Sequence, residues 1–142
     1  MIRRLLVAVL AVMAASPAPG VAAPPASGRN MTLVASIPFG SSGDLELFSR
    51  SLTAYRDRDG SMVGTGRPVT RHFALAASNL AGVKIIDVTD PERPYIAADV
   101  PCKGWDVDVR RDGGLAVVST FGCAPAIGNA VISLEDVYAP QV

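Results

Sequence analysis

Gly82-Val-Lys-Ile-Ile-Asp-Val-Thr-Asp-Pro-Glu-Arg-Pro94 decides how the rest of the chain is read. Its first half is a short apolar, β-branched run and its second half is a turn built from Asp and Pro, the pattern of a strand leaving into a tight loop. Asp87, Asp90, Pro91 and Pro94 are assigned to shaping that turn, with Asp90 ahead of Pro91 placed to accept backbone N–H groups.

The pattern returns further along. Ala74-Leu-Ala-Ala77 aligns with Ala116-Val-Val-Ser119, and Val83 to Val88 aligns with Ala130-Val-Ile-Ser-Leu134 after a small insertion around Cys123. Asp90, Pro94 and Ile96 then find counterparts in Asp136, Pro140 and Val142. A second match pairs Val34-Ala-Ser-Ile-Pro-Phe39 with Ala97-Ala-Asp-Val-Pro-Cys102, and Asp44-Leu-Glu-Leu47 with Asp106-Val-Asp-Val109. In the latter pair acidic and apolar residues alternate with the period of a strand. With the strands of one unit labelled a to d, the chain reads c, d, then a, b, c, d, then a, b and the start of c. One complete unit is flanked by two partial ones. Between the first d and the next a, residues 49–71 hold the turn formers Tyr55-Arg-Asp-Arg-Asp-Gly-Ser61 and Gly64-Thr-Gly-Arg-Pro68. A long exposed loop is expected there, with at most a short hairpin from Leu52 to Val63.

The 142 residues, 49% hydrophobic and 18% charged, suffice for one domain with a core and are too apolar for a disordered tail. The formal charge is zero, and removal of Arg3 and Arg4 with a leader leaves 11 basic and 13 acidic side chains, a balance that attracts neither nucleic acid nor an anionic membrane. The 13 Gly and 11 Pro punctuate Val, Ile and Leu runs, which favours β structure with many turns over a helical bundle.

Met1 to Ala22 has a basic start at Arg3 and Arg4, an apolar segment from Leu5 to Ala15 and a small-residue end, the three parts of an export signal. The apolar segment falls short of the roughly 20 residues of a membrane span, so a cleaved leader is preferred to an anchor. Cleavage is expected after Ala22 rather than Ala23, since the latter places Pro24 directly after the cut. The Sec route is preferred to twin-arginine export, and no cysteine offers a lipid attachment point. Residues 23–29 are rich in Pro and Gly and are expected to be a flexible lead, with the folded region at 30–142. The product is expected to be secreted or otherwise extracytoplasmic, with no membrane span after cleavage.

The Gly82 to Pro94 stretch, with its degenerate copy Ala130-Val-Ile-Ser-Leu-Glu-Asp-Val-Tyr-Ala-Pro140, resembles the LVIVD repeat family of exported proteins. In the copy Ser133 replaces the strand-end Asp and Val137 the first Pro. The resemblance implies an all-β fold of antiparallel four-stranded β-propeller blades, and it brings no general enzymatic role. Blades take about 40 to 50 residues and rings about 4 to 8 blades, so the mature chain would supply about two to two and a half. The missing blades would come from a longer chain, the preferred reading because the sequence stops inside a repeat, or from self-association of several copies.

Cys102 and Cys123 are the only cysteines, and export places them where disulfides persist, so a bridge between them is expected. A metal site is not, since two cysteines and the distant His72 supply too few ligands. Asp57-Arg-Asp-Gly60 fails as a calcium loop because Gly66 stands where a bidentate Glu is needed, so it is read as a turn. Asp106 and Asp108 alternate with Val107 and Val109 and are read as facing solvent. His72, the only histidine, has no nucleophile at a motif spacing; Ser41, Ser42 and Ser119 lack a Gly-x-Ser-x-Gly setting, and Gly64-Thr-Gly66 is no phosphate loop. Trp105 is the candidate ligand contact, set against packing between blades. No catalytic residue and no cofactor is assigned. The sequence favours an exported, non-enzymatic binding or scaffold module whose partner is a protein or a cell-surface polysaccharide; the alternative is one wall of a larger propeller enzyme acting on an extracellular substrate.

Overall fold

The computed structural model describes residues 35–38, 43–100, 102–123 and 126–142. The expected leader Met1–Ala22, its cleavage at Ala22 or Ala23 and the 23–29 lead lie outside these residues. Among the described residues all regular structure is β, and no helix is long and apolar enough to cross a membrane. The strands are β1 (Asp44–Arg56), β2 (Met62–Ala77), β3 (Val83–Asp87), β4 (Tyr95–Val100), β5 (Gly104–Val109), β6 (Leu115–Cys123) and β7 (Ala126–Ser133). They form two antiparallel sheets in chain order, β1-β2-β3-β4 and β5-β6-β7.

The two sheets share one register. In the first, Phe73 pairs with Asp87, Ala74 with Ile86 and Leu75 with Ile85. In the second, Leu115 pairs with Ser133, Ala116 with Ile132 and Val117 with Val131, the positions that the sequence alignment makes equivalent. The following turns match as well. Asp90 accepts the Glu92 N–H on its side chain (3.1 Å) and the Arg93 N–H on its carbonyl (3.0 Å). Asp136 does the same for Tyr138 (2.9 Å) and Ala139 (3.2 Å). The Ser133–Gln141 bridge then stands where Asp87 pairs with Tyr95.

Two expectations are corrected. Strands a to d do not share a sheet: each d strand joins the a and b strands that follow it, so the complete four-stranded sheet spans 44–100 and the second begins at β5. The physical reason is local. A d strand reaches the next a strand through a tight hairpin, as at Val109–Leu115, whereas the c-to-d step crosses from one sheet to the other. Nor are residues 49–71 a loop; they are the paired arms of the β1–β2 hairpin, whose turn is Asp57–Ser61. Of the turn formers that suggested a loop, those at 57–61 make that turn and those at 64–68 lie at a bulge. Leu52 pairs with Val69 and Ala54 with Gly64, so Thr53 alone faces Thr65 to Pro68. There the Thr65 hydroxyl donates to the Thr53 carbonyl (2.9 Å), Gly66 takes φ 68°, and Pro68 sits where the ladder is interrupted. Because β3 pairs with β2 only from Phe73 to Ala76, the hairpin beyond Phe73 continues as a two-stranded ribbon.

Period two decides what each face buries. On β2 and β3, Phe73, Leu75, Ala77, Val83 and Ile85 point to the second sheet and join Val107, Ala116, Val118, Ile132, Leu134 and Val137 in one core. The opposite face of the first sheet carries Ala74, Ala76 and Ile86, on which Ile37 packs. Residues 35–38, within the expected first c strand, carry no strand pairing. At one end the sheets approach so closely that a Cβ on Gly43 would stand 2.4 Å from the Trp105 carbonyl oxygen. Cys102 and Cys123 are bonded to each other and buried, tying the β4–β5 connection to the end of β6.

Candidate functional site

At the other end, the ribbon covers the Asp-Pro turn and a cleft of about 230 Å³ opens beneath it. Asp87 lies at its centre, 1% exposed, because it continues the inward face of Val83 and Ile85 to the last position of β3. Its Oδ1 accepts the Thr89 N–H (2.9 Å) and so fixes the start of the turn. Its Oδ2 accepts Arg71 Nε (3.0 Å) and Nη2 (2.7 Å). The guanidinium is held in turn over the Tyr55 ring, 4.1 Å from its centroid. The Tyr95 hydroxyl donates to the Arg56 carbonyl, lies 3.2 Å from Asp87 Oδ2 and accepts from Arg71 Nη2 (3.3 Å).

These contacts set the electrostatics. Burial alone would lower the Arg71 pKa, but the hydrogen bonds and charge of Asp87 outweigh it and leave the pKa raised. Burial, and then the Asp87 charge, push the Tyr95 phenol well above its ordinary value. Tyr138 is raised chiefly by burial; its hydroxyl lies near the Arg56 carbonyl, which Tyr95 engages, and makes no direct hydrogen bond among the described residues. The partly buried set around Asp87 is therefore a charge-neutral polar lock, while the cleft's rim, with Asp57, Arg58, Asp90 and Arg93, mixes both signs of charge.

The structure brings Asp87, Asp90, Pro91 and Pro94 together at this end, and Asp87 is more than a turn former. Trp105 does not line the cleft. It is 54% exposed on β5, beside Gly43 at the Ala77 end of β2, where β3 begins rather than where it ends at Asp87, so it is not packed away between the sheets. Asp106 and Asp108 are exposed, on the outward face of the second sheet. Asp57 to Ser61 is a hairpin turn closed by Asp57 N–H to Ser61 O (2.7 Å) and Gly60 N–H to Asp57 O (2.9 Å). Among the described residues no cluster of His, Cys, Asp or Glu could hold a metal ion.

Sequence reasoning missed Arg71, Tyr55 and Tyr95 as partners of Asp87. It also missed a cross-strand contact of Ser49 Oγ with His72 Nδ1 (2.8 Å). Arg71, Tyr55, Ser49 and His72 lie in or beside the segment read as a loop. The available signal was Asp87 itself, a carboxylate in phase with two apolar core positions of a strand, which requires a buried cation or donor. A search of protein-family models, of curated proteins and of solved structures finds no match to this chain.

Proposed function

We propose that the chain is an exported, non-enzymatic binding or scaffold module of β-propeller type, related to the LVIVD repeat proteins, that presents its turn-side cleft to another protein or to a cell-surface polysaccharide. The observation that supports this reading is the repetition of one register and one turn in two successive sheets, with one face of the first packed on the opposite face of the second. Such repetition is what stacked blades, each burying a face on the next, would require. Export from a cleaved Met1–Ala22 leader is part of the reading, and the Cys102–Cys123 bridge fits an oxidising compartment. A cleft whose inner charges are neutralised and whose rim keeps Arg58 and Arg93 suits recognition of polar or charged groups.

Two measurements test it. Mass spectrometry of secreted protein is expected to give an N-terminus at Ala23, and an intact Met1 outside the cell would remove export. Glycan arrays and cross-linking of the exported protein at the cell surface are expected to give saturable binding that falls at least tenfold in an Arg58→Ala/Arg93→Ala variant of unchanged melting temperature; no binding to either class would sink the reading.

An enzyme reading draws on one contact, Ser49 to His72. Labelling of Ser49 by a serine-directed fluorophosphonate, lost in His72→Ala, would turn the conclusion to hydrolysis.

A further inference from the structure

The register that relates the two sheets also relates their outward faces. Leu75 and Ile85 of the first sheet are both 0% exposed because the second sheet covers them. Their equivalents are Val117 and Val131, which are 43% and 56% exposed. The outward face of β5-β6-β7 is thus a second copy of the face that the first sheet buries.

The converse holds at the other end of the stack. Val107 and Val109 line the inward face of the second sheet, and their equivalents Leu45 and Leu47 are 48% and 69% exposed. They share the outward face of the first sheet with Ala74, Ala76 and Ile86. The two exposed faces stand to each other as the two sides of the interface already inside the chain. They are complementary to one another and neither is complementary to itself, which is the condition for a head-to-tail contact.

A third feature fixes the register of that contact. β7 is an edge strand, bridged on its open side only at Ser133–Gln141 among the described residues. The equivalent edge of β3 is filled by β4, through Val83–Val100, Lys84–Asp99 and Ile85–Ala98. Residues 35–38 align with Ala98 to Pro101 of β4 and its exit. Ile37 packs on the patch of Ala74, Ala76 and Ile86, while its counterpart Val100 shares a core with Ala116, Val118 and Ile132. Residues 35–38 therefore lie over the first sheet where the last strand of a preceding sheet would lie.

We propose that a second copy of this chain docks head to tail on the first: its β1-β2-β3-β4 sheet covers the Val117 and Val131 face, and its residues 35–38 extend the open edge of β7. Ala35 of the incoming copy then stands opposite Val131, Ser36 opposite Ala130 and Ile37 opposite Asn129. Strand addition and face burial reinforce one another, since one rigid-body placement satisfies both. Carboxylates are compatible with such a contact: Asp44, the equivalent of Asp106, already accepts the Val107 N–H (3.3 Å) inside the existing one. This inference rests on the sheet register and is independent of what the cleft binds.

The test uses the full chain and two surface substitutions at exposed positions, Leu47→Lys and Val131→Lys. Sedimentation velocity is expected to show wild-type chain growing into larger species with concentration. Each single variant, with one face blocked, is expected to need at least tenfold more protein to associate. An equimolar mixture of the two is expected to give a 1:1 complex and nothing larger, because each contributes the face that the other has lost. Hydrogen exchange at 129–131 is expected to slow as wild-type protein is concentrated. A wild-type chain monomeric throughout, variants that associate as well as wild type, or a mixture that stays monomeric overturns the proposal. Circular dichroism confirms folding, and Leu45→Ser with Val117→Ser repeats the experiment should a lysine unfold either variant.

Discussion

Removing the Asp87 carboxylate is the most informative single perturbation, because its cost is set by a group that stays behind. In Asp87→Ala the turn loses the acceptor of the Thr89 N–H (2.9 Å), worth about 1 kcal/mol. The larger part comes from Arg71. Its side chain is 15% exposed, sandwiched between Tyr55 and the β3 terminus, and without Asp87 its charge has no anionic partner there. Leaving one member of a buried pair uncompensated costs about 3–5 kcal/mol. Together these come to about 4–6 kcal/mol, and at roughly 4 °C per kcal/mol for a unit of this size the melting temperature falls by about 16–24 °C. Urea unfolding followed by far-ultraviolet circular dichroism measures the loss directly. A cycle with Arg71→Met and Asp87→Asn separates its causes: the amide keeps an acceptor for Thr89, the methionine removes the charge, and the double variant is expected to recover about 1–3 kcal/mol relative to the sum of the singles. A loss below about 1 kcal/mol in Asp87→Ala, or a coupling of zero, would show that water reaches Arg71 and that the lock is not dry.

Gly43→Ala forces a methyl group against the Trp105 carbonyl at 2.4 Å and is expected to destabilise by about 1–3 kcal/mol, whereas Gly64→Ala, with nothing within 4 Å, stays within about 1 kcal/mol of wild type; equal losses in thermal melts would remove the close approach of the sheets. Cys102→Ser/Cys123→Ser opens a loop with a sequence separation of 21 and is expected to cost about 3 kcal/mol by chain entropy, while complete alkylation of the native protein without reductant would refute the bridge. Tyr95 and Tyr138 have folded-state pKa values raised by burial, so their contribution to stability is fully present below pH 10 and is lost as the pH climbs from the unfolded value through the folded ones. Melting temperatures are therefore expected to fall above pH 10, and a Tyr95→Phe/Tyr138→Phe variant with an equally steep alkaline fall would assign that loss elsewhere.

Most of the sheet pattern could be read from Gly82 to Pro94 and its copy, because local chemistry fixes it: a β-branched run, a carboxylate that caps the next turn, and a proline beyond. The register of the equivalent strands follows from the same alignment, since period two leaves one pairing that keeps Leu75, Ile85, Val118 and Ile132 buried. The grouping of strands into sheets was not legible, because the hairpin that joins β5 to β6 and the crossover that joins β4 to β5 are both short and both contain turn formers. The ribbon was hidden for a different reason. Gly64, Gly66 and Pro68 signal a loop when read singly, and only the partner strand reveals that they gather at one bulge. With the ribbon unread, Asp87 lost its visible partner, and a buried ion pair looked like a turn residue.

The two equivalent turns are held differently. The first turn is held by a carboxylate and a guanidinium; the second, with Ser133 at that position, is held instead by the Gln141 bridge, the Asp136 cap, the Leu134 N–H donated to the Gly114 carbonyl (2.9 Å) and the packing of Val137 and Tyr138 into the core. The ribbon binds both. Arg71 and the Arg56 carbonyl engage the first turn through Asp87 and Tyr95, while Arg50 donates to the Glu135 carbonyl (3.5 Å) and Arg56 lies 5.5 Å from the Tyr138 ring centroid at the second. The extension of β1 and β2 therefore acts as a brace that fixes the angle between the sheets at one end, as Gly43 and the disulfide do at the other. With that angle fixed, the outward faces of the two sheets are held in the relation that a docking copy requires, and shortening the ribbon would loosen association without touching either face.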